Sequence, residues 1–448
     1  MKALRGPCHL PIGPRDPCAF PDERWWRALV SHAGLMGLLP TWGGVDVSDR
    51  PDRHNSVSSA VIRCSYQGRR TVAVGGDAST EVCVGAVLDV LDMYLHEGPT
   101  YAGGSVTADE VAIILGERRD TEGLDAIGSL LAAQRGGPAV RVLLASGSGA
   151  PVDLAVEAAD FSTSPKAQHY LKLMRDLESG PPALLRNVQE RVGREELRAY
   201  PMLTGNPWWS LRLEGLEVGR FRPGHGWLDV GKPGKTGLEG EARRKWRTAV
   251  GDAPLADLRD DPNSIRTAAR GLNDFAQAWL APSGQGAAVV RQQNEHALES
   301  RILRGTCTVR VDTGPLQLLQ PDSVTNWGSQ FPTRWGHTTG KAARYLDALM
   351  REGRVPWAVE MKVRGSGGVG GYYRHAVGQA VLYRHFIRSA APLDDWFDSH
   401  ALDRTSCQAA VVVPDLDLQP AWRERLRAVC ELFEVELVEV AHRYASLG

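Results

Sequence analysis

A carboxylate and a lysine occur two residues apart in an apolar stretch of the chain. Residues 356–364 read Pro-Trp-Ala-Val-Glu-Met-Lys-Val-Arg, a composition typical of a β-strand. Because side chains two apart in a strand point to the same face, Glu360 and Lys362 are expected to project together, while the residues between them enter a core. A carboxylate binds hard divalent cations, and an ammonium orients water or stabilises charge on a phosphate. This spacing therefore predicts metal-assisted hydrolysis.

The motifs around this stretch resemble those of one nuclease superfamily. Glu360-Met361-Lys362 matches the (D/E)xK element of the PD-(D/E)xK nucleases, and Gln379-Ala-Val-Leu-Tyr383 matches the QxxxY helix of their RecB-like branch. The resemblance covers about residues 286–448. It implies that Asp347, 13 residues before Glu360, is the acid on the adjacent hairpin strand.

The resemblance also implies a role for each matched residue. Lys362 would position the attacking water or stabilise the transition state, and Gln379 and Tyr383 would support substrate binding. The cofactor would be Mg²⁺, for which Mn²⁺ can substitute. The expected metal ligands are four acids, with one or both of the glutamates on the opening helix assisting the other two: Asp347, Glu360, Glu295 and Glu299.

The structure around Asp347 has two interpretations. Residues 341–353 have apolar side chains at helical spacing and end on Gly353, which favours an amphipathic helix. The family hairpin instead requires a strand that carries Asp347, followed by a turn at residues 351–354. We prefer the strand on the strength of the resemblance.

The opening helix offers two candidate acids. Residues 287–304 have helical spacing, and Glu295 falls beside the apolar Leu298 and Ile302, with Glu299 at the edge of the same stripe. A glutamate that faces a core is costly unless it is paired or bound to a metal. The alternative is that both are ordinary solvent-facing glutamates.

A local surplus of positive charge surrounds these acids. Residues 341–390 carry nine Arg or Lys against three acids, a balance that suits a phosphodiesterase centre. Gln379 and Tyr383, four apart on one helix face, could also be a structural hydrogen-bonding pair. The arginines expected to contact a nucleic-acid backbone are Arg364, Arg374, Arg384 and Arg388.

The middle of the chain has a second basic segment. Residues 220–247 hold eight Arg or Lys against three acids, with Trp227 and Trp246 among them. The segment begins in a stretch that alternates like a β-hairpin, with its turn near Pro223-Gly224. It either tracks phosphates and stacks bases, or forms a solvated ribbon whose tryptophans are buried.

Composition limits the class of protein. The chain has 448 residues, 43% of them hydrophobic, and a formal net charge of −1, so nucleic-acid binding has to depend on local patches. The seven cysteines are scattered without CxxC spacing, which indicates a reducing compartment. No apolar run is long enough for a membrane helix. We therefore expect a cytoplasmic protein with no membrane association.

These observations predict an α/β protein in three parts. Residues 1–164 are expected to form an α/β or α+β domain of unknown role, and residues 165–285 a helical and β-hairpin region with a basic patch and a linker. The resemblance implies that residues 286–448 form a restriction-endonuclease-like mixed sheet flanked by helices.

The predicted function is that of a metal-dependent nuclease. Its expected partner is nucleic acid, with DNA preferred, and its N-terminal part would serve recognition or regulation in restriction or anti-phage defence. Defence-system proteins or a second copy of the chain are further candidate partners. The alternative is a nucleic-acid-binding or sensor protein with a catalytically inactive nuclease fold.

Overall fold

The computed structural model describes the chain in segments separated by gaps. The described residues are 44–47, 60–66, 69–76, 80–96, 100–101, 106–115, 121–144, 152–163, 171, 180–202, 208–231, 237–280, 295–319, 331–333, 344–363, 374–415 and 420–441.

The first sheet is mixed, with strand order β1-β2-β3-β6-β7-β8. Strands β1 to β3 are antiparallel, β3, β6 and β7 are parallel, and β8 returns antiparallel. Helix α1 joins β3 to β6, and α2 joins β6 to β7. The elements are β1 (Gly44–Val47), β2 (Ala60–Tyr66), β3 (Arg69–Gly76), α1 (Thr80–His96), β4 (Thr100–Tyr101), β5 (Val106–Thr107), β6 (Glu110–Leu115), α2 (Thr121–Ala133), β7 (Val140–Leu144) and β8 (Val152–Asp153).

The middle region is an antiparallel meander of five strands in the order β13-β12-β11-β10-β9. One face carries apolar side chains such as Trp209, Leu211 and Phe221, which are buried in the main core with residues of the helices. The elements are α3 (Ala183–Val192), β9 (Leu197–Met202), β10 (Trp208–Leu213), β11 (Leu216–Arg222), β12 (His225–Leu228), α4 (Gly237–Ala249), β13 (Leu255–Leu258) and α5 (Pro262–Leu280).

The C-terminal region contains a second mixed sheet, in the order β16-β19-β20-β21-β22. Strands β16, β19 and β20 are antiparallel, and β20, β21 and β22 are parallel. The elements are α6 (Glu295–Leu303), β14 (Arg310–Val311), β15 (Gly314–Pro315), β16 (Gln317–Leu318), β17 (Phe331–Thr333), β18 (Arg344–Leu346), β19 (Ala348–Glu352), β20 (Val355–Met361), α7 (Arg374–Ser389), α8 (Asp394–Ser399), β21 (Gln408–Pro414), α9 (Pro420–Leu432) and β22 (Glu436–Val440), with 3₁₀ turns at Ala391–Leu393 and Arg404–Ser406.

The two mixed sheets share one topology. Each has three antiparallel strands followed by a helix, a parallel strand, a second helix and another parallel strand. Since right-handed crossovers that advance in one direction put their helices on the same face of a sheet, α1 and α2 form one layer and α7 and α9 form another. Helix α1 packs against both α7 and α9, and α2 packs against α7. The chain therefore places two copies of one topology back to back through their helices.

The helix interface depends on one close approach. A Cβ added at Gly378 of α7 would lie 2.7 Å from Cγ1 of Val84 in α1. Glycine at this position lets the two helices come close together, and the surrounding apolar side chains join the main hydrophobic core.

The observed elements agree with the predicted α/β class. The alternating segment near residue 208 forms the predicted hairpin, with its turn between Arg222 and His225. The helix interpretation of residues 341–353 is wrong, because β19 pairs with β16 on one side and with β20 on the other. Among the helices that the structure describes, none is long and apolar enough to cross a membrane.

Candidate active site

Glu360 and Lys362 come from the end of the central strand β20. Met361, between them, belongs with Val359 and Val363 to the apolar cluster on one face of the sheet, as the alternation predicts. Ala358, on the same face as the two charged residues, packs in the main core instead. A backbone hydrogen bond of 3.0 Å from the amide of Lys362 to Val412 keeps this residue beside β21.

Asp347 lies at the bend between β18 and β19, directly beside β20. Its neighbour Ala348 pairs with Val359 across the β19–β20 ladder. The carboxylate of Asp347 accepts a 2.8 Å hydrogen bond at Oδ2 from the backbone amide of Met361. The acid predicted for the adjacent strand thus meets the peptide between the glutamate and the lysine.

The Lys362 ammonium joins two of the predicted acids. Its Nζ lies 2.7 Å from Oε1 of Glu360 and 3.2 Å from Oε1 of Glu295. Glu360 is 1% exposed, and Glu295 is half-buried at the start of α6. One cluster therefore contains acids from α6 and β20 and from the bend before β19, with the lysine at its centre.

Burial and mutual repulsion control the ionisation of this cluster. Burial raises the pKa of Glu360 to about 7, although the Lys362 ammonium opposes the rise. Burial and the Glu360 carboxylate raise the pKa of Asp347 well above its usual value. Burial disfavours the Lys362 ammonium, but the carboxylates of Glu360, Asp347 and Glu295 raise its pKa well above the ordinary value. At neutral pH the lysine is therefore charged, whereas burial favours the protonated forms of Glu360 and Asp347.

Glu299 is buried but is directed towards the middle region. Its Oε2 lies 3.6 Å from Nη1 of Arg212 on β10 and 3.3 Å from Nδ1 of His296. The turn between β10 and β11 also contacts α6 at Gly215. This position requires glycine for two reasons: its φ is 79°, and a Cβ would lie 2.1 Å from the carbonyl oxygen of His296. Of the two candidate glutamates, Glu295 contacts the lysine and Glu299 anchors α6 to the middle sheet.

Gln379 and Tyr383 lie on α7, which packs against β20 and β21. Tyr383 is buried in the same apolar cluster as Ala358 and Val411, and Gln379 is half-buried one turn earlier. The helix therefore covers the sheet face that carries Glu360, as the resemblance implies.

The arginines predicted to contact nucleic acid are mostly inside the protein. Arg374 and Arg384 are each 4% exposed, so their predicted role is corrected. Arg374 donates from Nε to Asp89 of α1 at 2.7 Å, and Arg384 donates to the carbonyl of Glu434 at 2.6 Å. Burial lowers the pKa of Arg384 to about 10. Each of these guanidiniums donates hydrogen bonds to protein groups instead of water and thereby joins α7 to a neighbouring part of the fold.

The other two arginines of that group have different outcomes. Arg388 is half-buried and donates from Nε to the carbonyl of Cys407 at 2.6 Å, so a further contact with nucleic acid stays a prediction. Arg364 lies outside the described residues.

Helix α4 contributes two exposed arginines, Arg244 and Arg247, to the basic surface predicted for residues 220–247, and its other basic and aromatic side chains contact protein. Trp246 is fully buried and packs edge to face against Phe275, so it does not stack bases. Arg243 pairs with Asp229, and Lys245 donates to the carbonyl of Ala278. The basic and aromatic side chains of the hairpin strands remain partly exposed.

The acids at the end of β20 fit a hard divalent cation in part. Within the described ranges, no three His, Cys, Asp or Glu side chains form a group that could hold a metal ion. Asp347 and Glu360 nevertheless offer oxygen donors, and Oε2 of Glu360 is buried without a hydrogen-bond partner. Mg²⁺ commonly binds through one or two carboxylates and completes its octahedron with water and phosphate oxygens. Two carboxylates are therefore sufficient for such an ion.

Sequence reasoning missed two buried charged residues, Arg212 and Asp89, that join separate parts of the fold. Arg212 is the one charged residue of β10, Trp208–Leu213, and this was the signal available for it. Asp89 gave no signal, because its partner Arg374 is 285 residues away.

The chain matches no protein-family model, no curated protein and no solved structure.

Proposed function

We propose that the protein is a Mg²⁺-dependent nuclease that hydrolyses phosphodiester bonds, with DNA as substrate, at the cluster of Asp347, Glu360 and Lys362. The observation that carries this proposal is the meeting of two acids and a lysine at adjoining strand ends, where the carboxyl groups of Glu360 and Asp347 interact directly. Two carboxylates that interact in a buried site are costly in a purely structural cluster, and a cation that binds both relieves the cost.

Each side chain has a separate task in this proposal. Asp347 and Glu360 hold the metal, and Glu295 assists by restraining the lysine through its 3.2 Å contact. The Lys362 ammonium orients the attacking water or stabilises the negative charge that develops on the phosphate. Gln379 and Tyr383 support the substrate side of the site. Bound Mg²⁺, or Mn²⁺ in its place, supplies Lewis-acid activation of the scissile phosphate.

The C-terminal topology supports a restriction-endonuclease-like interpretation of residues 286–448. A mixed sheet with an acid beside its central hairpin, an ExK sequence at the end of the next strand and a helix with QxxxY after it follows the order of that superfamily. By analogy, the protein would act in restriction or anti-phage defence in the cytoplasm, alone, as a homo-oligomer or with defence-system proteins.

The N-terminal sheet would be a non-catalytic copy of the same topology. Glu360 is the penultimate residue of β20, and the penultimate residue of β3 is Gly75. The sequence there, Gly75-Gly76-Asp77, lacks both the glutamate and the lysine. We assign recognition or regulation to this half, since its helix α1 packs on the helix that carries Gln379.

A cleavage assay tests the proposal. The full-length protein is incubated with supercoiled plasmid, linear duplex and single-stranded DNA, in Mg²⁺, in Mn²⁺ and in EDTA. We expect strand cleavage with either metal and none in EDTA. An absence of cleavage on all three substrates with both metals would contradict the proposal.

One observation favours the alternative of an inactive nucleic-acid-binding protein. The Lys362 ammonium already satisfies one oxygen of Glu360 and one of Glu295, so the cluster is held together without a metal. Under this alternative the protein binds DNA in the same assay, and the DNA stays intact in Mg²⁺ and in Mn²⁺.

Metal binding is expected to weaken as the pH falls below about 7. Glu360, whose pKa is about 7, and Asp347, whose pKa is also raised, must lose protons before they bind a cation. For each group that must lose a proton, the affinity for the cation falls by up to about tenfold with each pH unit below the pKa of that group. Calorimetric titration with Mg²⁺ between about pH 5.5 and pH 8.5 measures this dependence. Equal affinity at both ends of that range would exclude these acids as the ligands.

A further inference from the structure

The polar face of the middle sheet carries aromatic and basic side chains on adjacent strands. Five residues of this face, on β10, β11 and β12, form what we name the stacking surface: Trp208, Arg220, Arg222, His225 and Trp227. Arg220 lies opposite Trp227, and Arg222 lies opposite His225. Alternation along the strands sends Trp209, Phe221 and Leu228 to the other face, into the core.

The rings of the stacking surface contact one another and one guanidinium. Trp208 and Trp227 pack edge to face, with ring centroids 4.7 Å apart, and His225 lies 6.4 Å from Trp227. The guanidinium carbon of Arg222 lies 4.9 Å from the centre of the Trp208 ring. In an edge-to-face pair, at least one ring keeps a face that its partner does not cover. Both tryptophans are half-buried, so they are fixed in place yet reachable.

The charge of the stacking surface suits a polyanion. Arg222 is exposed, and within the described part of the chain it has no carboxylate partner. Arg220 shares Glu217 with Ser210, so one acid offsets one of the two arginines. Half-buried aromatic rings beside an arginine that lacks a carboxylate match the chemistry of bases linked by phosphates.

The strand that carries Trp208 is connected to the candidate active site through buried contacts. Arg212, on the same strand and face as Trp208, contacts Glu299 of α6. Four residues of strand separate Arg212 from Trp208, a distance of about 13 Å. The first residue of α6, Glu295, contacts Lys362. These contacts connect the strand that carries Trp208 with the helix that contacts Lys362.

We propose that the stacking surface of β10–β12 binds single-stranded DNA as the substrate of the cluster at Lys362, with bases stacked on Trp208 and Trp227 and a phosphate bound by Arg222. A single strand is favoured over a duplex because its bases are free to stack on aromatic rings, whereas paired bases are covered by their neighbours. This inference gives a substrate class to the proposed nuclease and rests on that proposal for its second half.

The binding step is tested without cleavage, in EDTA, by fluorescence anisotropy with a labelled oligothymidylate of about 20 nucleotides, a length that spans a typical single-strand site. Trp208→Ala and Trp227→Ala are each expected to raise Kd about tenfold. Trp227→Phe should recover most of the affinity, since it keeps an aromatic face. Arg222→Ala should lower the slope of log affinity against log salt by about 0.7.

Two exposed side chains elsewhere serve as matched controls. Tyr94 of α1 is 37% exposed, and Arg354 lies in the exposed turn between β19 and β20. Tyr94→Ala and Arg354→Ala should bind the oligonucleotide as the wild type does. Unchanged affinity in both tryptophan variants, or an equal loss in the controls, would overturn the proposal. So would a duplex of the same length that binds as tightly and loses as much affinity in the tryptophan variants.

The two proposals fail in different ways. If DNA is never cut in Mg²⁺ but the tryptophan variants lose binding in EDTA, the stacking surface stands and the nuclease proposal fails. If wild-type protein cuts DNA and the tryptophan variants bind the oligothymidylate normally, the nuclease proposal stands and the stacking surface is excluded.

Discussion

Replacing Lys362 with methionine is expected to lower the rate of DNA cleavage by about 10²–10³-fold while DNA binding in EDTA stays near the wild-type value. Methionine keeps most of the apolar stem but removes the ammonium that bonds Glu360 and Glu295. Loss of that charge removes transition-state stabilisation, whereas the proposed binding surface lies on another sheet. Single-turnover cleavage of labelled DNA, with anisotropy on the same substrate, measures both effects.

Loss of folding has to be separated from loss of chemistry in this variant. Without the ammonium, the pKa values of Asp347 and Glu360 rise further, so the buried acids become protonated and are no longer unpaired charges. We therefore expect the variant to stay folded, as near-ultraviolet circular dichroism would show. Lys245→Met serves as the matched control, because Lys245 lies on α4 and donates to the carbonyl of Ala278, away from the cluster. Cleavage by Lys362→Met at the wild-type rate would remove the lysine from the mechanism.

Replacing Arg374 with methionine is expected to destabilise the protein by about 3–5 kcal/mol. The side chains of Arg374 and Asp89 are 4% and 2% exposed, and the pair joins α7 of the C-terminal half to α1 of the N-terminal half. Removing the guanidinium leaves a buried carboxylate with a neighbouring histidine, His375, at 3.8 Å as a partial substitute. Urea denaturation at pH 7 measures the loss.

The matched control for this prediction is an exposed ion pair. The side chains of Arg70 and Asp109 are 40% and 41% exposed at a distance of 2.6 Å. Solvent screens such a pair, so Arg70→Met should leave the unfolding midpoint within error of the wild type. A midpoint for Arg374→Met that equals that of Arg70→Met would mean that the buried pair does not hold the two halves together.

Much of the C-terminal architecture could be predicted because its signals are local. The alternation around Glu360 placed its charged and apolar residues on opposite faces, and the structure has the same division. The helix expected for Gln379 and Tyr383 is present as α7, Arg374–Ser389. The resemblance predicted a strand that carries Asp347, whereas the residue spacing alone favoured a helix. The structure has strands on both sides of Asp347 and a bend at the residue itself. Pairing on both sides of β19 overrides that local preference.

The errors concern charges whose partners are distant in sequence. Arg374 and Arg384 were predicted to contact a nucleic-acid backbone, because several arginines near acids suggest a phosphate-binding site. Their partners, Asp89 and the carbonyl of Glu434, come from other elements, 285 and 50 residues away. The repeated sheet topology was also hidden, because it is a property of strand order rather than of residue spacing.

The central claim is that Asp347 and Glu360 share a divalent cation beside Lys362, and a crystal structure of the protein soaked in Mn²⁺, with anomalous scattering, tests it most directly. The account predicts one anomalous peak between these two carboxylates, at coordination distance from Oε2 of Glu360, and no such peak in Glu360→Gln. A wild-type map without a peak at this position, or with manganese bound only elsewhere, would contradict it.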